Sequence, residues 1–432
     1  MSIEDPNEDK EGQTVEESDS DDSLDPRMRR WKWIAASSIV LVAGLVVVLW
    51  LVVLQGEDDN KTTNAAPLDE IERYRSFRSQ AMGISGATRL IDPDSPQSRA
   101  LQFTLTNPTV SDHFAQRYAL AVLYYACGGS NFREVRLDDD IHECELVGVI
   151  CNEQLQIIEL HWDYSKVTGQ LPNEIGAIAT LEILDLNDND ISGTLPTTLA
   201  KLAQLKRLFV AYNALTGSLP EELSQLTKLQ ELSIDRTRFQ GAFPPSYANL
   251  TDMRVLTASS TTVSGDIFAI VESWPKIQKL YLYKTLLGGP IPEDLGRFTN
   301  LEQFQLDGDN FAGTLPDSLV ELTNLRRLTV RSKNVTGSFP SEIHRLSNLG
   351  TFHRNASIVC DFVTHSHVAV EIGFLGEGFD GVLPTTIGHL TDLQYLILLS
   401  TSITGTLPSE IGYLTKLESL QVVRAFSDRY CP

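Results

Sequence analysis

A period of 24 residues runs from Ile157 to the C-terminus and leaves few folds open. One unit, Leu181 to Gln204, reads LEILDLNDNDISGTLPTTLAKLAQ, and further units begin at Leu205, Leu229, Met253, Ile277, Leu301, Leu325 and Leu349. Glycine occupies unit position 13 at Gly169, Gly193, Gly217, Gly241, Gly265, Gly289, Gly313, Gly337, Gly381 and Gly405. Proline follows three residues later in nine of these ten units, as at Pro172, Pro196 and Pro408. Chance does not hold ten glycines in one register. Repetition at this period implies stacked coils, each contacting only its neighbours, rather than one globular core.

Burial explains the unit. Positions 4 and 6 alternate, so they share one face of a short strand. Positions 1, 11, 15, 19 and 22 fill the rest of a coil's interior. One coil buries too little apolar surface to offset the entropy of ordering 24 residues, so neighbours must stack. Gly at position 13 lets the chain turn where a Cβ would clash. Pro at position 16 fixes φ and gives up an amide that no ladder needs there.

The L-x-G-x-L-P segment resembles the plant-type leucine-rich repeat of receptor-like proteins and receptor kinases. It is most similar to membrane-anchored microalgal proteins with this ectodomain, over about residues 95–432. The resemblance implies an α/β solenoid: a right-handed leucine-rich repeat superhelix with a parallel concave sheet, behind a helical N-terminal cap. In such a cap two cysteines close a small loop ahead of the first strand. Cys144 and Cys151, flanking ELVGVI, are the pair expected to form that disulfide outside the cell. Family members often carry Trp where this chain has Phe132 and Leu146. Cys127, Cys360 and Cys431 remain, and an odd count leaves at least one thiol free or intermolecular.

Charge divides the N-terminal part. The formal net charge is −22, and residues 1–26 hold eleven Asp/Glu and one Lys. Residues 1–33 therefore read as a disordered acidic tail ending in a basic flank, Arg27, Arg29, Arg30 and Lys32. Ile34–Leu54 is 21 residues without a charge, long enough at about 1.5 Å per residue to span a bilayer. Trp31, Trp33 and Trp50 suit its interfaces, and Glu57, Asp58 and Asp59 follow it. The positive-inside rule predicts a single transmembrane signal anchor, type II, with a cytosolic N-terminus, in the plasma membrane or an endomembrane. Residues 55–94 read as a stalk with one helical stretch near 68–80. Residues 95–156 read as the cap, with Ser95-Pro96 opening one helix and a second over 111–126. Residues 157–432 read as the repeats, closed by 427–432.

Further units start at 369, 393 and a partial one at 417. The unit at 349 is four residues short and lacks the Gly and Pro, so it is expected to bend or bulge the solenoid. Position 9 is Asn only at Asn189 and Asn213. Thr237, Thr261, Thr285 and Thr401 keep one donor, whereas Asp309, Lys333 and Glu377 predict irregularity in the later coils.

Several patterns point away from catalysis. His353, Cys360, His365 and His367 cluster, but their spacing fits no zinc motif, so no metal is expected. Gly376, Gly378 and Gly381 spell G-x-G-x-x-G without strand–turn–helix context or kinase motifs. No cofactor and no enzymatic activity are expected; the carboxylates Asp163, Asp185 and Asp188 are the only hint of chemistry. Without a basic tract beyond the membrane flank, nucleic acid is not a partner. Asn249, Asn334 and Asn355 are N-glycosylation acceptors in an exported region, and Asn60 is a fourth close to the membrane.

Positions 3, 5, 7 and 8 line the concave face. There Arg207, Phe209, Tyr212, Asp235, Arg236, Tyr281, Tyr283, Lys284, Asp307, Arg327 and Arg331 form a candidate binding strip, because Tyr, Phe and Arg are the usual interface anchors. The expected function is a non-enzymatic membrane receptor-like protein. It binds an extracellular protein, peptide or glycan and signals through a co-receptor. The alternative is a cell-surface adhesion or structural scaffold.

Overall fold

The computed structural model describes residues 68–106, 113–133, 135–137, 141–349, 371–375 and 379–424. The acidic tail, the apolar span 34–54, Cys360, Cys431, Asn355 and the histidines 353, 365 and 367 lie outside them. No described helix is long and apolar enough to cross a membrane. Residues from Glu72 onward make one compact unit; of the other, Met1–Ile71, only 68–71 are described.

Among the described residues three helices precede the coils: α1 (Leu68–Ser85), α2 (Pro96–Thr106) and α3 (Phe114–Ala126). Ser95 caps α2, its Oγ accepting from the Ser98 amide at 3.1 Å, with Pro96 at the first helical position. Phe77 and Ala81 of α1 pack with Ala100, Leu101 and Phe103 of α2 and Phe114, Tyr118 and Val122 of α3. The cap thus reaches back into the segment read as a stalk, because α1 buries an apolar edge that an isolated stalk would expose. Cys144 and Cys151 are bonded, with Cα atoms 5.6 Å apart. Cys127 is a buried free thiol.

The cap meets the coils through a polar knot. Arg117 Nη1 donates to Glu143 Oε2 at 2.9 Å and to the Ile141 carbonyl at 3.2 Å. Gln116 Nε2 donates to Glu143 Oε1 at 2.9 Å, while its Oε1 accepts the Ile157 amide at 3.0 Å. Phe132 and Leu146, read above as standing where the resemblance implies Trp, are both buried. Phe132 meets the fully buried Trp162 edge-on, ring centres 5.3 Å apart, so a tryptophan one coil later fills the volume.

Each coil contributes one strand to a parallel sheet in register, 24 residues apart: Ile183 faces Arg207, which faces Glu231. The sheet has 12 strands among the described residues, opened by the antiparallel Val149–Cys151. The inward positions of the coil at Leu205 (Leu205, Leu208, Val210, Leu215, Leu219, Leu223, Leu226) are all buried. Coils are numbered here from Ile157 as coil 1. Position 9 works as expected in coils 2 and 3. Asn213 accepts the Ile191 amide at 2.9 Å and donates to the Leu186 carbonyl at 2.8 Å, tying adjacent coils. In coil 8 the buried Ser332 takes over next to Lys333, its Oγ donating to the Phe311 carbonyl at 2.8 Å.

A second parallel sheet of nine strands runs through positions 10–14. All ten position-13 glycines lie on it or at its edge with φ between +73° and +115°. At Gly289 a Cβ would stand 2.1 Å from Asp266 Oδ1, so φ and space both demand glycine. Position-12 hydroxyls bridge coils, as when Thr216 Oγ1 donates to the Gly193 carbonyl at 3.1 Å. Where Pro at position 16 is replaced by Phe268, the short 3-10 turn becomes one α-helical turn, Phe268–Val271, capped by Asp266.

The unit at 349, expected to bend or bulge the solenoid, lies outside the described residues apart from Leu349. The strand of coil 8, Arg327–Arg331, pairs directly with Glu371–Leu375, and Gly337 pairs with Phe379. Leu349 is buried as position 1 of coil 9, whose strand follows after residues 350–370. The short unit is therefore an insertion between position 1 and the strand, and both sheets run past it.

Candidate functional site: the concave face

The concave face changes character along its length. In coils 2 to 5 the strand is three residues long, and in coils 6 to 8 it is five. In coils 1 to 6 the residue at position 8 turns left-handed: Tyr164, Asp188, Tyr212, Arg236, Ser260 and Lys284 have φ between +48° and +56°. This conformation costs L-residues about 1 kcal/mol or more each. Hydrogen bonds to the next coil hold it, among them the Tyr212 amide to the Asp235 carbonyl at 2.8 Å. Stored backbone strain thus lines one edge of the face, at Tyr212, Arg236 and Lys284 among others.

The candidate residues fall into two groups. In coils 3 and 4, Arg207 is exposed and paired with Glu231 at 3.1 Å, Phe209 is half-buried, and the Arg236 guanidinium lies 5.3 Å over the Tyr212 ring. In coils 6 to 8, the Tyr283 ring has Lys284 Nζ at 5.1 Å and the Arg331 guanidinium at 5.9 Å. Arg331 also pairs with Asp307 at 3.5 Å, and Arg327 is half-buried on the same strand. Between the groups, coil 5 presents the small side chains Val255, Thr257, Ser259 and Ser260.

Three of these residues are spent partly inside the protein. Asp235 is 4% exposed, and its Oδ1 accepts the Ser259 amide at 2.6 Å. It caps the sheet, as Asn187 does for the Ala211 amide at 2.8 Å, and so exposes little of its carboxylate on the concave face. Tyr281 donates its hydroxyl to Gln303 Oε1, and burial pushes its phenol up to about 12, leaving the ring for contact. Burial also raises the Asp307 carboxyl, partly offset by Arg331. Sequence reading missed Gln303, Ser259 and Asn187 as supports, since polar residues on a solvated strand face carry no periodic signal.

Asp235 gives a pH prediction. Burial raises its pKa above 3.8, outweighing its hydrogen bonds with Thr257, Ser259 and Ser233. The associated stability is full below that value and is lost as pH rises through the folded pKa. Asp235→Asn is therefore expected to relieve a penalty at pH 7 and to give less benefit, or a loss, at pH 4. Thermal melts at the two pH values check it; an equal shift at both would refute the sign.

Among the described residues no group of three or more His, Cys, Asp or Glu is placed to hold a metal ion. The acceptor Asn249 is exposed at the end of the turn Pro245–Asn249. Asn334 is exposed too, but its Nδ2 donates to the Asp309 carbonyl at 2.6 Å.

A family profile described as a leucine-rich repeat region matches residues 137–289. No curated protein matches the chain. Among solved structures it is similar to the ectodomain of the Arabidopsis receptor kinase HAESA, in complex with an N-terminally extended IDA peptide hormone. That likeness has 25% identity and a TM-score of 0.59, over 72% of this chain and 49% of that one. A TDR receptor is similar in fold at 23% identity and a TM-score of 0.51, over 62% of this chain and 43% of that one. The chain spans less than half the length of either structure. The sequence resemblance to plant leucine-rich repeat receptor ectodomains is thereby shown.

Proposed function

We propose that this chain is a non-enzymatic, membrane-anchored leucine-rich repeat receptor that binds an extended extracellular peptide or peptide-like protein segment across its concave face. The paired aromatic–cation groups carry the reading: Phe209, Tyr212 and Arg236 on one side of a small-residue shelf, and Tyr281, Tyr283, Lys284 and Arg331 on the other. Rigid aromatic rings beside cations, fixed on a sheet, lose little entropy when a partner covers them. The HAESA ectodomain, similar in fold, holds a peptide hormone. Anchoring by residues 34–54 with a cytosolic N-terminus, and signalling through a membrane co-receptor, complete the proposal.

Peptide-display selection against the full chain in lipid nanodiscs tests it. Selected peptides are expected to lose on the order of 10- to 100-fold affinity for Tyr281→Ala/Tyr283→Ala. Unchanged binding by a variant with a native melting profile would remove this strip from the function.

A further inference from the structure

The concave face is electrically divided. At positions 2, 3, 5, 7 and 8, coils 6 to 8 carry five Lys/Arg against two carboxylates, Glu302 and Asp307, on a chain whose net charge is −22. At the same positions, coils 1 and 2 carry five Asp/Glu and no Lys or Arg. The two regions lie about five coils apart, roughly 25 Å at sheet spacing. That exceeds the screening length of about 10 Å at 0.1 M salt, so each acts on its own part of a ligand.

Within the cationic region the chemistry converges on Tyr283. Lys284 and Arg331 both lie against its ring, and its hydroxyl has no hydrogen-bond partner among the described residues. Tyr281 on the same strand is neutral and fixed by Gln303, giving an apolar wall beside it. Arg331 reaches Asp307 only at 3.5 Å, a loose pair that an incoming carboxylate can share.

We infer that the partner is an acidic peptide segment, whose Asp or Glu side chains lie over coils 6 to 8 at Tyr283, Lys284 and Arg331. The carboxylates of coils 1 and 2 repel the same segment and so fix where along the solenoid it binds. This rests on the receptor reading above and adds the ligand's charge and position.

The test uses the full chain in nanodiscs and three labelled peptides of about twelve residues, long enough to cross three coils. They alternate Gly with Glu, Gln or Lys, and each carries a central photocrosslinker. At low salt the Glu peptide is expected to bind about tenfold tighter than the Gln peptide, and the gain should vanish near 0.5 M NaCl. Its crosslinks should fall in coils 6 to 8. Lys284→Gln/Asp307→Asn/Arg331→Gln should abolish the preference, bringing the Glu and Gln peptides to the same affinity at every salt concentration. Equal binding of Glu and Gln peptides, a preference that survives the triple change, or crosslinks in coils 1 and 2 would overturn the inference. If the Gln peptide still depends on Tyr281 and Tyr283, only the charge assignment fails. If no peptide crosslinks to any concave strand, the receptor reading falls with it.

Discussion

Arg117→Leu is expected to destabilise the N-terminal cap by about 3–5 kcal/mol, because it leaves Glu143 as a buried charge without its cation. The two side chains are 2% and 4% exposed, and their atoms stand 2.9 Å apart. Arg117 also lies 4.8 Å from the Phe103 ring centre and donates to the Ile141 carbonyl, so one residue joins α2, α3 and the loop before the disulfide. Gln116 still donates one hydrogen bond to Glu143 in the variant, but it brings no charge. Adding Glu143→Gln should recover most of the loss, since the carboxamide still accepts from Gln116 and no longer needs a counter-charge. Urea unfolding, with hydrogen exchange read over Pro96–Thr106 and Phe114–Ala126, separates the cap from the coils. A double variant no more stable than Arg117→Leu alone would mean that packing, not stranded charge, holds the cap.

Trp274→Ala is the second large effect. Trp274 is fully buried at position 22 of coil 5, where coil 4 carries Leu250 and coil 6 Phe298, and its Nε1 donates to the Tyr247 carbonyl of coil 4 at 2.9 Å. Removing it costs about 3–5 kcal/mol in transfer and cavity energy. In a solenoid that loss is local, because each coil is stabilised mainly by its neighbours. The expected signature is therefore a split: one melting transition in the parent and two in the variant. Trp274→Phe should retain a single transition and lose about 1 kcal/mol for the indole hydrogen bond, since the Tyr247 carbonyl still accepts the Leu250 amide at 3.0 Å. A single cooperative melt of Trp274→Ala, shifted downward as a whole, would contradict nearest-neighbour coupling at this seam.

Much of the architecture was legible because it rests on local rules. The left-handed turn at position 13 admits glycine almost alone, so ten glycines announce it. The inter-coil role of Asn189 and Asn213 is legible for the same reason, since a buried carboxamide between strands must be satisfied on both sides. The place of the unit at 349 could not be read off, because its leading leucine keeps register while its missing Gly and Pro do not. Which of two strands pairs with Arg327–Arg331 is a long-range choice that no window of 24 residues contains. The capping role of Asp235 was not legible, because polar residues at position 7 face solvent or cap the ladder depending on the next coil's backbone.

The binding strip divides along the same line. Its residue types were visible as a period-2 face, and the leucines, glycines and prolines by themselves determine that such a face exists and is made of stacked parallel strands. Only the folded coils decided that Tyr281 gives its hydroxyl to Gln303, that the Tyr283 ring has two cations within 6 Å, and that position 8 turns left-handed through coil 6. Repeat-forming residues act through φ and burial, which each residue carries with it. Contacts on the concave face join residues about 24 apart, so their geometry exists only once the coils are stacked.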